Sequence, residues 1–137
     1  LALRPSAATD VTGFGLAGHL GEMLRASKSS AMLDLAAVPA LPGAVALLGR
    51  GIRSTAHPEN ARARRAMLVE PDAARRESLD LLFDPQTSGG LLVAVPRERG
   101  AAMLSALRAA GDGAAAIIGE VTPPRPDGAL IRVVATG

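Results

Sequence analysis

Cysteine, tryptophan and tyrosine are missing from this sequence, and phenylalanine occurs only twice among its 137 residues. Without cysteine the chain forms no disulfide, no thiolate metal site and no thiol nucleophile. Because aromatic residues make up 1% of the sequence, the core must be built mainly from aliphatic side chains. These absences leave any chemistry to polar, charged and backbone groups.

A strong charge of one sign is also lacking. The chain has 15 basic and 13 acidic residues, for a net charge of +2, and the basic residues are scattered. With no basic stripe and no aromatic platform for bases, we expect no nucleic-acid partner. No apolar run approaches the roughly 20 residues that cross a bilayer, and residues 1–8 lack the pattern of a signal peptide. We therefore expect no membrane partner and a cytoplasmic location.

The length and the hydrophobic share of 48% are typical of one folded domain. We expect a single domain over residues 1–137. The chain begins with Leu1 rather than Met, and its most informative segment follows almost at once, at Thr9. We therefore expect this domain to be part of a longer protein.

Helical and strand patterns alternate irregularly along the chain. Apolar residues at three- and four-residue spacing from Leu16 to Leu24 predict an amphipathic helix that runs to about Ser27. The apolar run Leu91–Val95, ended by Pro96, predicts a central strand buried on both faces. Further helices are predicted at 43–48, 61–67, 71–83 and 98–110, and further strands at 31–36, 114–121 and 129–134. This mixture favours an α+β fold, a layered mixed β-sheet with helices packed against it.

The segment from Thr9 to Leu24 places Asp10 just before a glycine-rich helix. Asp10 can cap that helix by accepting hydrogen bonds from its first N–H groups, or it can hold a cation between the protein and a phosphate. The glycines at 13, 15, 18 and 21 each cost about 1 kcal/mol in a helix relative to alanine. We expect them where another group approaches the backbone closely.

A second polar segment, Asp84–Gly90, precedes the predicted strand at Leu91. It offers the hydroxyls of Thr87 and Ser88 and the flexible backbone N–H groups of Gly89 and Gly90, which suit phosphate binding. The alternative is a tight turn whose glycines only let the chain reverse.

Gly13, Gly15 and Gly18, with Asp34 further on, also match a dinucleotide-binding fingerprint. That fingerprint requires a hydrophobic strand immediately before the first glycine. Residues 5–12 are instead small and polar, which disfavours nicotinamide or flavin binding. A hydrophobic strand over residues 1–8 would favour it again.

The two histidines and the arginine-rich stretch have no local partner pattern. His19, among apolar helix positions, is predicted to be partly buried in the core or an interface, and His57 to be solvated in a loop over 52–60. Arg62, Arg64 and Arg65 are predicted to form a solvated helix face. No local spacing supports a Ser-His-Asp triad or paired-carboxylate catalysis.

Three blocks of sequence carry a family resemblance. They are Thr-Asp-Val-Thr-Gly-Phe-Gly-Leu at 9–16 with Gly-His-Leu at 18–20, Leu-Phe-Asp-Pro-Gln-Thr-Ser-Gly-Gly-Leu-Leu at 82–92, and Ile-Gly-Glu-Val at 118–121. In order and extent they are similar to the C-terminal domain of selenophosphate synthetase, also called selenide, water dikinase. More distantly, the chain resembles the C-terminal domain of the aminoimidazole ribonucleotide synthetase superfamily of ATP-using enzymes.

The resemblance implies a reaction in which selenide, ATP and water give selenophosphate, AMP and phosphate, with Mg²⁺ as the essential ion. It also implies that Asp10 is a magnesium ligand beside the ATP phosphates. The family's cysteine or selenocysteine, its catalytic lysine and its other magnesium-binding aspartates belong to an N-terminal domain that is absent here. We therefore expect no catalytic residue in this chain, no activity from it alone, and a homodimer of the full-length protein.

Two alternatives remain open at this point. The chain could be a non-catalytic packing or dimerisation domain in which Asp10 only caps a helix, or the same domain from another ATP-using member of the superfamily. The role that we assign to Thr87, Ser88, Gly89 and Gly90, as one wall of the substrate cleft, is inferred from the chemistry of that loop and is not implied by the resemblance.

Overall fold

The computed structural model describes residues 4–136. Its longest helix is α1, which begins at Gly15 and ends at Ser27. The other helices are α2 (Ala44–Gly49), α3 (His57–Asn60), α4 (Pro71–Ala74) and α5 (Gly100–Ala109), and the strands are β1 (Ala7–Asp10), β2 (Ser30–Asp34), β3 (Met67–Val69), β4 (Leu91–Ala94), β5 (Gly119–Thr122) and β6 (Ile131–Val134). Turns of 3₁₀ helix lie at Leu35–Ala37, Ala61–Ala66, Glu77–Phe83 and Arg97–Arg99. No helix within residues 4–136 has the length and apolarity needed to cross a bilayer.

Four strands form the main sheet in the order β3-β6-β2-β5. β6 runs parallel to both β2 and β3, whereas β5 is antiparallel to β2. Leu33 and Val133 pair across β2 and β6 and are buried. They pack with α1 and with the 3₁₀ segment Glu77–Phe83 in one apolar cluster. The prediction of an α+β fold with a mixed sheet and helices packed against it is confirmed.

The strand predicted at Leu91–Val95 is present but lies outside the main sheet. It is β4, which pairs only with β1 in a separate antiparallel ribbon of two strands. Leu91 is 77% exposed, so the prediction of a central strand buried on both faces is wrong. The rest of the run, residues 92–95, is half-buried, because a run of apolar residues does not specify which element will cover it.

Two predicted helices differ from the elements in the structure, and in both the apolar periodicity of the sequence is weak. The arginine-rich stretch expected to be helical is a 3₁₀ segment, Ala61–Ala66, followed by β3. The long helix expected from Pro71 ends at Ala74, and its apolar residues lie on the 3₁₀ segment Glu77–Phe83. In the second place the apolar pattern located the buried residues Leu79, Leu82 and Phe83, but in neither place did the sequence predict the backbone geometry.

Asp34, at the end of β2, forms hydrogen bonds both with the turn that follows β2 and with the segment that follows β6. Its Oδ1 accepts hydrogen bonds from the N–H groups of Ala36 at 3.0 Å and Thr136 at 3.1 Å. The Thr136 hydroxyl donates to Oδ2. Partial burial alone would raise the pKa of Asp34, but the hydrogen bonds from Thr136 and Ala36 outweigh it and hold the pKa below its ordinary value.

Replacing Asp34 by alanine should lower the free energy of unfolding at neutral pH by about 1 to 3 kcal/mol, because hydrogen bonds to a charged acceptor are lost. The folded-state pKa is lower than the unfolded one, so this stabilisation is present above the unfolded pKa and is lost as pH falls through the folded pKa. Urea unfolding should therefore show the difference shrinking below about pH 4. Asp112→Ala, at an exposed position, is the matched control, and a difference independent of pH would contradict the role given to the charge.

Candidate functional site

The two polar segments singled out in the sequence meet at one end of the β1–β4 ribbon. Asp10 pairs with Leu91 at the last position of the ribbon. Beyond it, the Val11 N–H donates to the Gly90 carbonyl at 2.9 Å, and the Gln86 N–H donates to the Thr12 carbonyl at 3.0 Å. Asp10 and the loop that contains Thr87, Ser88, Gly89 and Gly90 therefore lie side by side, although they are far apart in the sequence.

Two glycines make this close approach possible. A Cβ at Gly89 would overlap the Val11 carbonyl oxygen and lie 2.5 Å from Gln86 Oε1. Gly15 has φ +69°, and a Cβ there would lie 2.9 Å from the Leu82 carbonyl oxygen. The expectation that the glycines of the first segment mark close contacts is confirmed at Gly15 but not at Gly13, around which a Cβ would meet nothing within 4 Å.

Asn60 ties the two segments together, and the sequence analysis assigned it no role. Its Nδ2 donates to the Gly13 carbonyl at 2.8 Å and to the Phe83 carbonyl at 3.1 Å. One amide group thus holds the turn before α1 against the turn before the Thr87 loop. No local pattern signals this contact, since both acceptors are backbone atoms of distant segments.

Asp10 does not cap α1. The N-cap of that helix is Phe14, which makes no side-chain capping hydrogen bond, and the chain turns between Asp10 and Gly15. The cap interpretation is therefore wrong. The Asp10 side chain is exposed, and within residues 4–136 no donor or cation engages its carboxylate. That carboxylate is available to a ligand.

A metal ion held by this chain alone would need more ligands than the site offers. Within the described residues, no three or more histidine, aspartate or glutamate side chains are grouped closely enough to hold one. Mg²⁺, however, commonly keeps several waters and binds through one or two carboxylates and substrate phosphates. The single carboxylate of Asp10 fits a shared magnesium ion of that kind, and its role as a ligand stays a prediction.

The loop residues beside Asp10 present polar groups to solvent. Thr87 and Ser88 are exposed, and Ser88 adopts the left-handed backbone conformation at φ 55°. Across residues 4–136, neither hydroxyl makes a hydrogen bond. These groups are placed where they could contact a phosphate near Asp10, and that contact also stays a prediction.

Of the two histidines, His19 is buried, somewhat more completely than the partial burial predicted, and lies on α1 with its ring 5.5 Å from that of Phe14. The prediction for His57 is wrong, because this residue is buried rather than solvated. The expected loop folds as α3 over Phe83, and the two rings meet edge to face at 6.1 Å. His57 Nε2 makes no hydrogen bond, and it lies 3.9 Å from Asp80 Oδ1. His57 therefore belongs to the packing around Phe83.

The other candidate residues are placed as follows. Arg62, Arg64 and Arg65 are exposed, as predicted. The strand over residues 1–8 that would favour a dinucleotide site lies partly outside the described residues, which begin at residue 4. The strand that the structure describes before Gly13 is β1, which consists of small and polar residues and pairs antiparallel with β4. A dinucleotide fingerprint needs a hydrophobic strand in a parallel unit. Asp34 is also occupied by Ala36 and Thr136. The structure therefore offers no support for nicotinamide or flavin binding at these glycines.

The family model for the C-terminal domain of AIR synthase related proteins matches residues 3–131. The chain belongs to this family. Both site segments of this AIR synthase related domain, and the main sheet as far as the start of β6, lie inside the matched region.

Several curated relatives of the domain are named selenide, water dikinase. The chain is 46% identical over 127 residues to the selenide, water dikinase of Bdellovibrio bacteriovorus, an alignment that covers 91% of this chain and 35% of the relative. It is 43% identical over 127 residues to the enzyme of that name from Nitratidesulfovibrio vulgaris, covering 92% of this chain and 36% of the relative. It is 45% identical over 113 residues to the selenide, water dikinase of Rhizobium meliloti, an alignment that covers 82% of this chain and 32% of the relative. The chain thus spans about a third of the length of these relatives.

Proposed function

We propose that residues 1–137 form the C-terminal domain of a selenide, water dikinase, and that Asp10 supplies one magnesium ligand of its active site. The full-length enzyme makes selenophosphate from selenide, ATP and water and releases AMP and phosphate. The proposal rests on one observation above the others. Among residues 4–136, a carboxylate without a protein partner lies beside a loop whose hydroxyls make no hydrogen bond, in a chain with relatives that bear that enzyme's name.

In this proposal the chain's own residues bind and orient, and they do not react. Bound Mg²⁺ neutralises charge on the ATP phosphates during phosphoryl transfer. Asp10 would supply one carboxylate ligand to that ion, and Thr87, Ser88, Gly89 and Gly90 would form one wall of the cleft. The remaining ligands and the catalytic groups come from an N-terminal domain.

Exposed apolar side chains beside the site support the presence of such a domain. Leu91, which pairs with Asp10, is 77% exposed, and Phe14 is 59% exposed. Large apolar side chains next to a polar site are typical of a surface that another domain covers. A homodimer of the full-length enzyme and a cytoplasmic location are further parts of the proposal.

The test is an assay of the full-length protein that contains this chain. With ATP, selenide and Mg²⁺, phosphorus NMR should show selenophosphate, AMP and phosphate in equal amounts, and chelation of Mg²⁺ should stop their formation. The same protein should not form aminoimidazole ribonucleotide, which is the outcome expected of another superfamily member. ATP left intact in the presence of selenide and Mg²⁺ would favour the non-catalytic packing domain.

A further inference from the structure

A chain of three side chains links α1 to the turn that follows Asp10. His19 and Glu22 lie three positions apart on α1, so their side chains share one side of the helix. His19 Nδ1 lies 3.3 Å from Glu22 Oε2. The other ring nitrogen, Nε2, lies 3.1 Å from the Thr12 hydroxyl oxygen. His19 is buried, whereas the Glu22 side chain is 57% exposed.

The chemistry of the groups limits how they can pair. An ionised carboxylate only accepts hydrogen bonds, so the 3.3 Å ion-pair contact with Glu22 Oε2 favours a proton on His19 Nδ1. In the neutral imidazole that carries this proton, Nε2 has a lone pair that accepts the Thr12 hydroxyl proton. This tautomer of His19 would orient the Thr12 O–H toward the ring.

Thr12 lies two residues after Asp10, in the segment that leads from β1 to α1. Asp10 is exposed, Val11 is 5% exposed and Thr12 is half-buried, so the two polar residues are both more exposed than the apolar residue between them. The Thr12 backbone is held in place as well, because its carbonyl accepts from Gln86 N–H at 3.0 Å and from Gly15 N–H at 3.1 Å.

We propose that Thr12 is a further polar group of the Asp10 site and that His19, with Glu22 behind it, is its positioning residue. This inference deepens the proposed function and depends on it for the ligand, a hydrated divalent cation. With its proton directed to His19, the Thr12 oxygen offers only lone pairs to a ligand. It accepts a hydrogen bond from a water of the ion and offers no donor to a phosphate oxygen.

The first test measures the tautomer of His19 in the 137-residue chain and does not involve activity. Long-range ¹H–¹⁵N spectra, recorded under conditions in which the imidazole is neutral, should show the proton on Nδ1. Glu22→Ala should shift the signal toward the Nε2–H form, and His19→Gln identifies which of the two histidine signals is which. A proton on Nε2 in the unchanged chain would overturn the proposal, since Nε2 would then donate to Thr12.

The second test compares Thr12→Val, which keeps the shape of the side chain but removes the hydroxyl, with Thr12→Ser, which keeps the hydroxyl. In the full-length enzyme, Thr12→Val should raise the Mg²⁺ concentration for half-maximal rate about tenfold, the size expected when an outer-sphere partner of a metal is lost. Thr12→Ser should stay close to the unchanged enzyme. Thr55→Val, at an exposed threonine away from the site, is the control. An unchanged magnesium dependence in Thr12→Val would overturn the role of Thr12.

A readout without turnover separates this inference from the proposed function. Mn²⁺ added to the full-length enzyme without selenide should broaden the amide signals around Asp10, and Thr12→Val should require more Mn²⁺ for the same broadening. Broadening that is equal in the two proteins would contradict the role of Thr12 even if the enzyme makes selenophosphate. Absence of selenophosphate, with the expected tautomer and Mn²⁺ response, would remove the proposed function alone.

Discussion

Replacing Asp10 by asparagine in the full-length enzyme should lower the rate of selenophosphate formation by about a hundredfold or more. The amide keeps the size of the side chain but removes the negative charge that binds the cation. A metal ion that is bound more weakly stabilises less of the charge in the transition state, so the rate falls. Part of the rate should return at high Mg²⁺ concentration, because the loss is one of affinity. The rate should be followed by phosphorus NMR over a magnesium titration.

Stability provides the internal check on this prediction. Since Asp10 is exposed, caps no helix and has no partner within residues 4–136, Asp10→Asn should change the free energy of unfolding by less than about 0.5 kcal/mol. Asp112→Asn, at another exposed aspartate, should leave both rate and stability unchanged. Normal turnover in Asp10→Asn would remove this residue from the mechanism. A large loss of stability would instead point to a structural role.

Replacing Gly89 by alanine should destabilise the domain by about 2 to 4 kcal/mol, a large effect for one methyl group. The added Cβ would overlap the Val11 carbonyl oxygen and lie 2.9 Å from Gln86 Cβ. Backbone atoms cannot move aside as a flexible side chain can, so the end of the ribbon must separate. The hydrogen bond from Val11 N–H to the Gly90 carbonyl should be lost first, as faster amide exchange at Val11 would show.

The neighbouring glycine is a matched control for that substitution. A Cβ at Gly90 would meet nothing within 4 Å, and its backbone is not in the left-handed region. Gly90→Ala should therefore be neutral or stabilise the domain by up to about 1 kcal/mol. Equal losses for Gly89→Ala and Gly90→Ala in urea unfolding would show that loop flexibility, and not close contact with Val11, accounts for the effect.

The features of this domain that can be predicted from sequence are those that local patterns carry. The apolar stripe from Leu16 to Leu24 predicted α1 to its last residue, Ser27. The apolar stretches around Leu33 and Val133 predicted two strands that indeed form the centre of the sheet. The motif blocks around Asp10 and Thr87 pointed to the family that the comparisons show. Each of these signals spans a few consecutive residues, so no knowledge of the rest of the chain is needed to interpret it.

The structural roles of Asp10, Asn60 and His57 depend instead on contacts between segments that are distant in the sequence. A carboxylate before a glycine-rich helix has the same local pattern whether it caps that helix or faces a cleft, and only the turn between Asp10 and Gly15 separates the two cases. Asn60 binds backbone carbonyls at Gly13 and Phe83, and His57 is buried because α3 folds over Phe83. Local periodicity reports which residues avoid water, whereas these roles depend on which distant group each residue meets, and packing of the whole chain sets that.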